Sequence, residues 1–221
     1  MIASPARAAD SAPQAIDPLH VEQDREDGPR LYRWTRGTYY ALLDAGILIE
    51  GSRVELIEGA ILQMAAMKGP HATAVTNMGD VLRPLCRPGR HVREQCPIAV
   101  SEVSEPEPDV AVVRGRNGDY LKNHPRTADL VVEVADTSLA FDLGVKAGLY
   151  ASAGVPDYWV LALAARQLHV LRDPESGPAT SGGSGVPGGG RYRTVQVFGE
   201  EASVTPLFAP SVSIAVADLL P

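Results

Sequence analysis

One run of nine residues, ADLVVEVAD from Ala128 to Asp136, constrains this chain more than any other stretch. Leu130, Val131, Val132 and Val134 lack the polar alternation of a half-exposed strand, so the run reads as a strand covered on both faces. Glu133 sits inside it. A lone carboxylate in such surroundings costs several kcal/mol unless something compensates it. Whatever the chain folds into must therefore bring a partner to Glu133.

The flanking segments suit a mixed sheet. Thr35 is placed to cap a helix through Tyr39, Leu42 and Leu43, with Gly46 ending it. RVELIEGAILQMA reads as a hairpin, Val54 to Ile57 and Ala60 to Met64, turning at Glu58-Gly59. Between His71 and Cys86 the residues Val75, Met78, Leu82 and Leu85 recur at spacings of 3, 4 and 3, one apolar helical stripe whose end Pro84 makes irregular. Strands are expected at about Arg93 to Val100, Asp109 to Val113 and Asp129 to Ala135. A second helix should run from Leu139 to Ala153, with Leu143, Ala147 and Tyr150 on one stripe and Gly154 beyond its end. DYWVLAL and QLHVLRD then form another hairpin, and RYRTVQVFG and SVSIAVADLL supply a further strand and a short closing element. This order predicts an α/β fold with helices packed on a mixed sheet.

At 221 residues the chain has room for one ample core, and a single domain is expected over residues 31–221. Residues 1–30, rich in Ala, Pro, Asp and Glu, read as a disordered tail. GPATSGGSGVPGGG, Gly177 to Gly190, reads as a flexible hairpin loop. Neither a long apolar run nor a signal-peptide pattern appears, so no membrane span and a cytoplasmic location are expected. Cys86 and Cys96 lack metal-binding spacing and read as reduced thiols. A net charge of −7 argues against wrapping nucleic acid by bulk electrostatics. Lys68 to Glu94 nevertheless holds five basic residues against two acidic ones, either a solvated face or a local basic surface.

Three ionisable residues stand where a core would not choose them: Asp109 before an apolar strand, Glu133 inside one, and Lys146 on the helix that follows. Two carboxylates from neighbouring strands and an ammonium would give Glu133 its partners. Hard oxygen ligands of this kind suit Mg²⁺, with Mn²⁺ as a substitute, and a lysine beside the ion can orient a water and stabilise developing charge. Each residue also has a plainer reading. Asp109 after Pro108 suits a turn, Lys146 can pair with Asp142 on an exposed helix face, and Glu133 with Lys146 can form a purely structural buried pair.

Taken together, RVELIEG, GPHATAV, EPDVAVV, ADLVVEVAD and FDLGVKAGLYASAGVPDYWVLAL resemble the Uma-two family, within the PD-(D/E)xK nuclease superfamily, over about Thr35 to Leu220. The resemblance implies a restriction-endonuclease-like mixed central sheet flanked by helices, and Mg²⁺-dependent hydrolysis of DNA. It implies that Asp109 and Glu133 hold the metal and that Lys146 is the catalytic lysine; the Val134 carbonyl is placed to add a ligand. In the superfamily that lysine usually lies two residues after the glutamate; here Ala135 stands there, which implies that the lysine has moved to the helix. Glu55 matches a further acidic position, while Glu58 at the turn is expected to be solvated. His71 matches the start of the first helix after the hairpin, where capping, packing and catalysis are all open. Cutting both strands of a duplex commonly needs two sites, so a homodimer is expected; the alternative is a nucleic-acid-binding or regulatory module of the same fold with little catalysis.

Overall fold

The computed structural model describes residues 31–49, 51–177 and 189–221. The expected N-terminal tail and most of the Gly/Pro/Ser-rich segment lie outside them.

Local sequence decides the first elements. Thr35 Oγ1 accepts a hydrogen bond from the Thr38 N–H at 3.2 Å and Thr38 Oγ1 accepts one from the Thr35 N–H at 2.9 Å, starting helix α1 (Arg36–Asp44), and Gly46 at φ 67° follows its end. Strands β1 (Val54–Ile57) and β2 (Ala60–Gln63) pair across Glu58 and Gly59, both at positive φ, the combination that matches the twist of a two-residue hairpin. Glu58 is half-buried and accepts a hydrogen bond from Ser104 Oγ at 3.1 Å, so it is less solvated than a turn position suggests. Helix α2 (Gly69–Leu82) buries the expected Val75, Met78 and Leu82, and Pro84 turns its continuation into a short 3₁₀ segment.

Six further strands make the central sheet of the described residues, in the order β3 (Arg90–Glu94), β4 (Val110–Arg114), β5 (Leu130–Ala135), β6 (Asp157–Ala162), β7 (Gln167–Glu175) and β8 (Arg191–Gly199). β5 and β6 run parallel; every other neighbouring pair is antiparallel. The parallel pair is joined by a helical crossover made of α3 (Leu139–Phe141), a π-helical stretch (Asp142–Lys146) and α4 (Ala147–Ser152). β3 begins and ends earlier than the expected Arg93 to Val100. Its ladder with β4 runs from Arg90–Arg114 to Glu94–Val110; Gln95 then adopts φ 48°, and Pro97 has no N–H to offer a neighbour.

The sheet is covered on both faces. Leu130, Val132 and Val134 pack on α2 and the C-terminal segment, whereas Val131 and Ala135 pack on the face that carries α4. All six residues of β5 are buried, and Glu133 shares the α4 face by strand alternation. Among the described residues no helix is long and apolar enough to cross a membrane.

Candidate active site

Three separate parts of the chain meet at the end of β5. Asp109 comes from the residue before β4, Glu133 and Val134 from β5, and Glu55 from the hairpin strand β1. The crossover helix then lays Lys146 over Glu133. Lys146 Nζ lies 3.1 Å from Glu133 Oε1 and 3.3 Å from Glu55 Oε1, and its side chain is only 2% exposed. Tyr150 Oη also donates to Glu133 Oε1, at 2.8 Å. The lysine therefore sits on the helix, and not two residues along the strand, because Ala135 fills that place in the core beneath.

The π-helical stretch explains how one crossover supplies so much. Widening the turn leaves the Ala147 N–H bonded to the Asp142 carbonyl, five residues back, and Tyr158 Oη donates to that same carbonyl at 2.9 Å. Asp142 and Lys146 are both buried there, so the exposed helical pair is not formed. Asp142 instead accepts a hydrogen bond from Ser138 Oγ at 2.6 Å.

Asp109 is held just as tightly. The β4–β5 ladder stops at Val110–Val132, which frees the Val134 N–H to donate to Asp109 Oδ2 at 2.8 Å. His71 Nε2, in the first turn of α2, lies 3.2 Å from the same oxygen. In a strand the N–H and C=O of one residue point to the same side, so the Val134 carbonyl also faces the gap beside Asp109. The one donor to Asp109, the Val134 N–H, meets Oδ2, on the same side as His71 Nε2, and both donors to Glu133 meet Oε1. Among the described residues, Asp109 Oδ1 and Glu133 Oε2 consequently have no hydrogen-bond donor.

These groups line a cavity of about 110 Å³ with Glu107, Asp136 and Asp142, and with the cations of Arg53, Lys68 and Lys146. Six carboxyl groups thus share it with three permanent cations and His71. Burial pushes the Glu133 carboxyl well above its ordinary range, Lys146 pulling against it and Asp109, Asp142 and Glu55 adding to the rise. Glu55 and Asp142 are raised for the same first reason, and burial followed by repulsion from Glu55 lifts Glu107 to about 7. Desolvation alone would lower Lys146, but Glu133, Glu55, Asp142 and Asp109 outweigh it and hold the ammonium above its ordinary value. The site therefore keeps a charged lysine among more carboxyls than one lysine can balance.

Asp109, Glu133, Val134, Lys146, Glu55 and His71 all line this one cavity. Glu107, Asp142 and Tyr150 belong to the same cluster, and local patterning does not single them out for it. The doubled acid-proline unit EPEPD was the one visible sign of Glu107, whereas the spacing of Asp142 and Lys146 looks like an ordinary surface pair.

No curated protein matches the sequence. Among solved structures, the chain is similar in fold to a protein of Anabaena variabilis described as "a putative nuclease belonging to DUF820", with a TM-score of 0.55 and 17% identity over 76% of this chain and 90% of that one. The mixed sheet with flanking helices is common to both. A profile of the family Uma2, described as "Putative restriction endonuclease", matches residues 37–217, which includes every cavity residue named above and agrees with the resemblance carried by the motifs. By that match over most of its length, the chain belongs to the Uma2 family.

Proposed function

We propose that the chain is a Mg²⁺-dependent endonuclease that hydrolyses DNA phosphodiester bonds. The observation that carries this reading is the convergence of Asp109, Glu133 and Lys146 on one cavity, with one oxygen of each carboxylate receiving no donor among the described residues. Among the described residues no group of three or more His, Cys, Asp or Glu forms a ready cage. Mg²⁺ does not require one, because it takes one or two carboxylates and keeps several waters. Asp109 Oδ1, Glu133 Oε2 and the Val134 carbonyl are hard oxygen donors, and the excess of buried carboxyls is relieved by a dication; the residues fit the ion. Bound there, Mg²⁺ or Mn²⁺ would polarise a phosphoryl oxygen and acidify a water.

The protein's own groups supply the rest. Lys146, kept as an ammonium, is a donor that orients the attacking water and stabilises charge on the phosphate, not a base. Tyr150, whose phenol is pushed up first by burial and then by Glu133, remains a donor that fixes the Glu133 rotamer. Glu55 shares the ammonium and holds it over the cavity. Cutting both strands of a duplex commonly takes two such sites, so a homodimer is part of the proposal.

Plasmid nicking in Mg²⁺ or Mn²⁺ tests it. Glu133→Ala and Lys146→Ala should each lose activity by about 10²- to 10³-fold, the loss typical of one removed charge-stabilising group. Nicking that survives both changes overturns the assignment, and DNA binding without nicking by the wild type favours the binding-module reading.

A further inference from the structure

A second cavity, of about 670 Å³, opens at the opposite end of the central strands. It is bounded by Arg114 at the end of β4, Asp129 just before β5 and Pro156 just before β6, whereas Asp109 and Glu133 lie at the other ends of β4 and β5. Arg36, Arg126, Tyr120 and His124 complete the walls that matter here. Its volume falls within the range of small-molecule sites, about 300 to 1,000 Å³.

The surroundings are short of negative charge. Asp129 bridges Arg114 at 3.0 Å and Arg90 at 2.6 Å, Glu105 holds Arg36, and Glu102 reaches Arg126 at 3.3 Å. Three carboxylates thus serve four guanidinium groups, and a fifth has none. Arg93 on β3 is 8% exposed and, among the described residues, has no carboxylate within 4.0 Å. Its guanidinium stands 5.3 Å from the ring centre of Tyr120 and donates to His124 Nδ1 at 3.3 Å, both cavity-lining residues, and its Nε has no hydrogen-bond partner. Because an arginine can only donate, His124 Nδ1 accepts and the neutral ring carries its proton on Nε2. Burial lowers the pKa of His124, which favours the neutral ring that accepts from Arg93.

A buried guanidinium facing only a phenol and an imidazole is an expensive arrangement for the protein alone. In a chain of net charge −7, the three arginines that line the cavity, Arg36, Arg114 and Arg126, are not a consequence of general basicity. We propose that this second cavity binds a phosphate-bearing anion, with Arg114 and Arg126 as the reachable ligands and Arg93 as the buried charge behind them. Arginine suits this role because its planar fork meets phosphate oxygens in pairs. The side chains of Arg114 and Arg126 are 77% and 74% exposed, and each has guanidinium N–H groups beyond its one carboxylate contact to offer a ligand at the mouth. The inference does not depend on the nuclease reading, since no residue is shared between the two cavities.

Titration calorimetry at low salt, with full-length protein lacking added metal, tests it with three probes: inorganic phosphate, deoxyadenosine monophosphate and a single-stranded oligonucleotide. The wild type should bind at least one of them. Arg114→Glu combined with Arg126→Glu should weaken that binding by at least about tenfold, as expected for loss of charge-assisted hydrogen bonds. Arg126→Ala alone, at a mostly exposed side chain, repeats the measurement if the double variant folds poorly, and Arg93→Met should abolish the ligand-induced rise in Tm without lowering the Tm of the free protein. Tighter binding of the mononucleotide identifies a free nucleotide as the phosphate source, and tighter binding of the oligonucleotide identifies a nucleic-acid backbone. No heat with any probe at millimolar concentration, or affinity in the double variant and in Arg126→Ala equal to that of the wild type, overturns the proposal.

Discussion

Asp157 and Glu133 lie on neighbouring parallel strands, β6 and β5, and both are buried, yet their surroundings differ in kind. Asp157 receives Trp159 Nε1 and Arg172 Nε on Oδ1, both at 2.8 Å, and the Leu207 backbone N–H on Oδ2 at 2.9 Å. Arg172 completes the lock by donating to the Thr205 carbonyl at 2.6 Å, which ties the C-terminal segment to the sheet. Every oxygen there has a donor and the single arginine has its carboxylate. At Glu133 the donors crowd on one oxygen and, among the described residues, leave the other without one, while the carboxyls of the cavity outnumber its cations. A buried charge whose partners are all present holds a structure together; one whose partners fall short points to something that arrives later.

The two isosteric amide substitutions should separate most widely. Asp157→Asn leaves Arg172 without its counter-charge and should cost about 3 to 5 kcal/mol in urea unfolding. Glu133→Gln should change the stability of the metal-free protein by no more than about 1 kcal/mol, because Lys146 keeps Glu55 and the amide oxygen still accepts from Tyr150. Equal losses at the two sites would erase the distinction and make Glu133–Lys146 a structural pair. Next in size is the effect of metal. At a Mg²⁺ concentration about 100 times Kd, ligation should add about 2.7 kcal/mol to the stability of the wild type, and nothing measurable to Asp109→Asn. A Tm that ignores Mg²⁺ and Mn²⁺ in the wild type would place both clusters in the structural class.

The smallest effect concerns pH. Glu107 binds its proton more tightly in the folded state, where its value is about 7, than in the unfolded chain, where it has the ordinary 4.5. The stability it contributes is therefore complete below about 4.5 and is lost as pH rises towards 7. Glu107→Gln mimics the protonated form, so its Tm relative to wild type should climb across that window in the absence of metal. Because Glu107 is partly exposed, solvent screens the effect and only a shift of a few degrees or less is expected. A flat difference between pH 4.5 and 7 would show that the carboxyl is not held by the cavity.

Much of the fold was legible before any coordinates. Thr35, Glu58-Gly59, the stripe of α2 and the valines of β5 each act through contacts within a few residues, and each formed where local chemistry put it. β3 was misplaced because strand limits depend on the partner ladder, and its partner β4 offers only Val110–Arg114. The candidate site was half legible. Glu133 declared itself by being a charge among valines, and Asp109 and Lys146 by the motifs around them. Asp142 was hidden because a surface pair and a π-helical turn share the same spacing, and Arg93 because an orphaned guanidinium looks in sequence like any other arginine.

By itself the sequence determined most of the segments that become strands and helices, β3 excepted, and that Glu133 would be buried, since these depend on periodicity, caps and the hydrophobicity of near neighbours. Only the tertiary structure decided that Glu55 meets Lys146 across 91 residues, that both donors to Glu133 choose one oxygen, and that Arg93 finds no carboxylate among the described residues. Those outcomes depend on how distant elements pack and on how many donors each buried charge finds, and no local pattern of residues encodes that count.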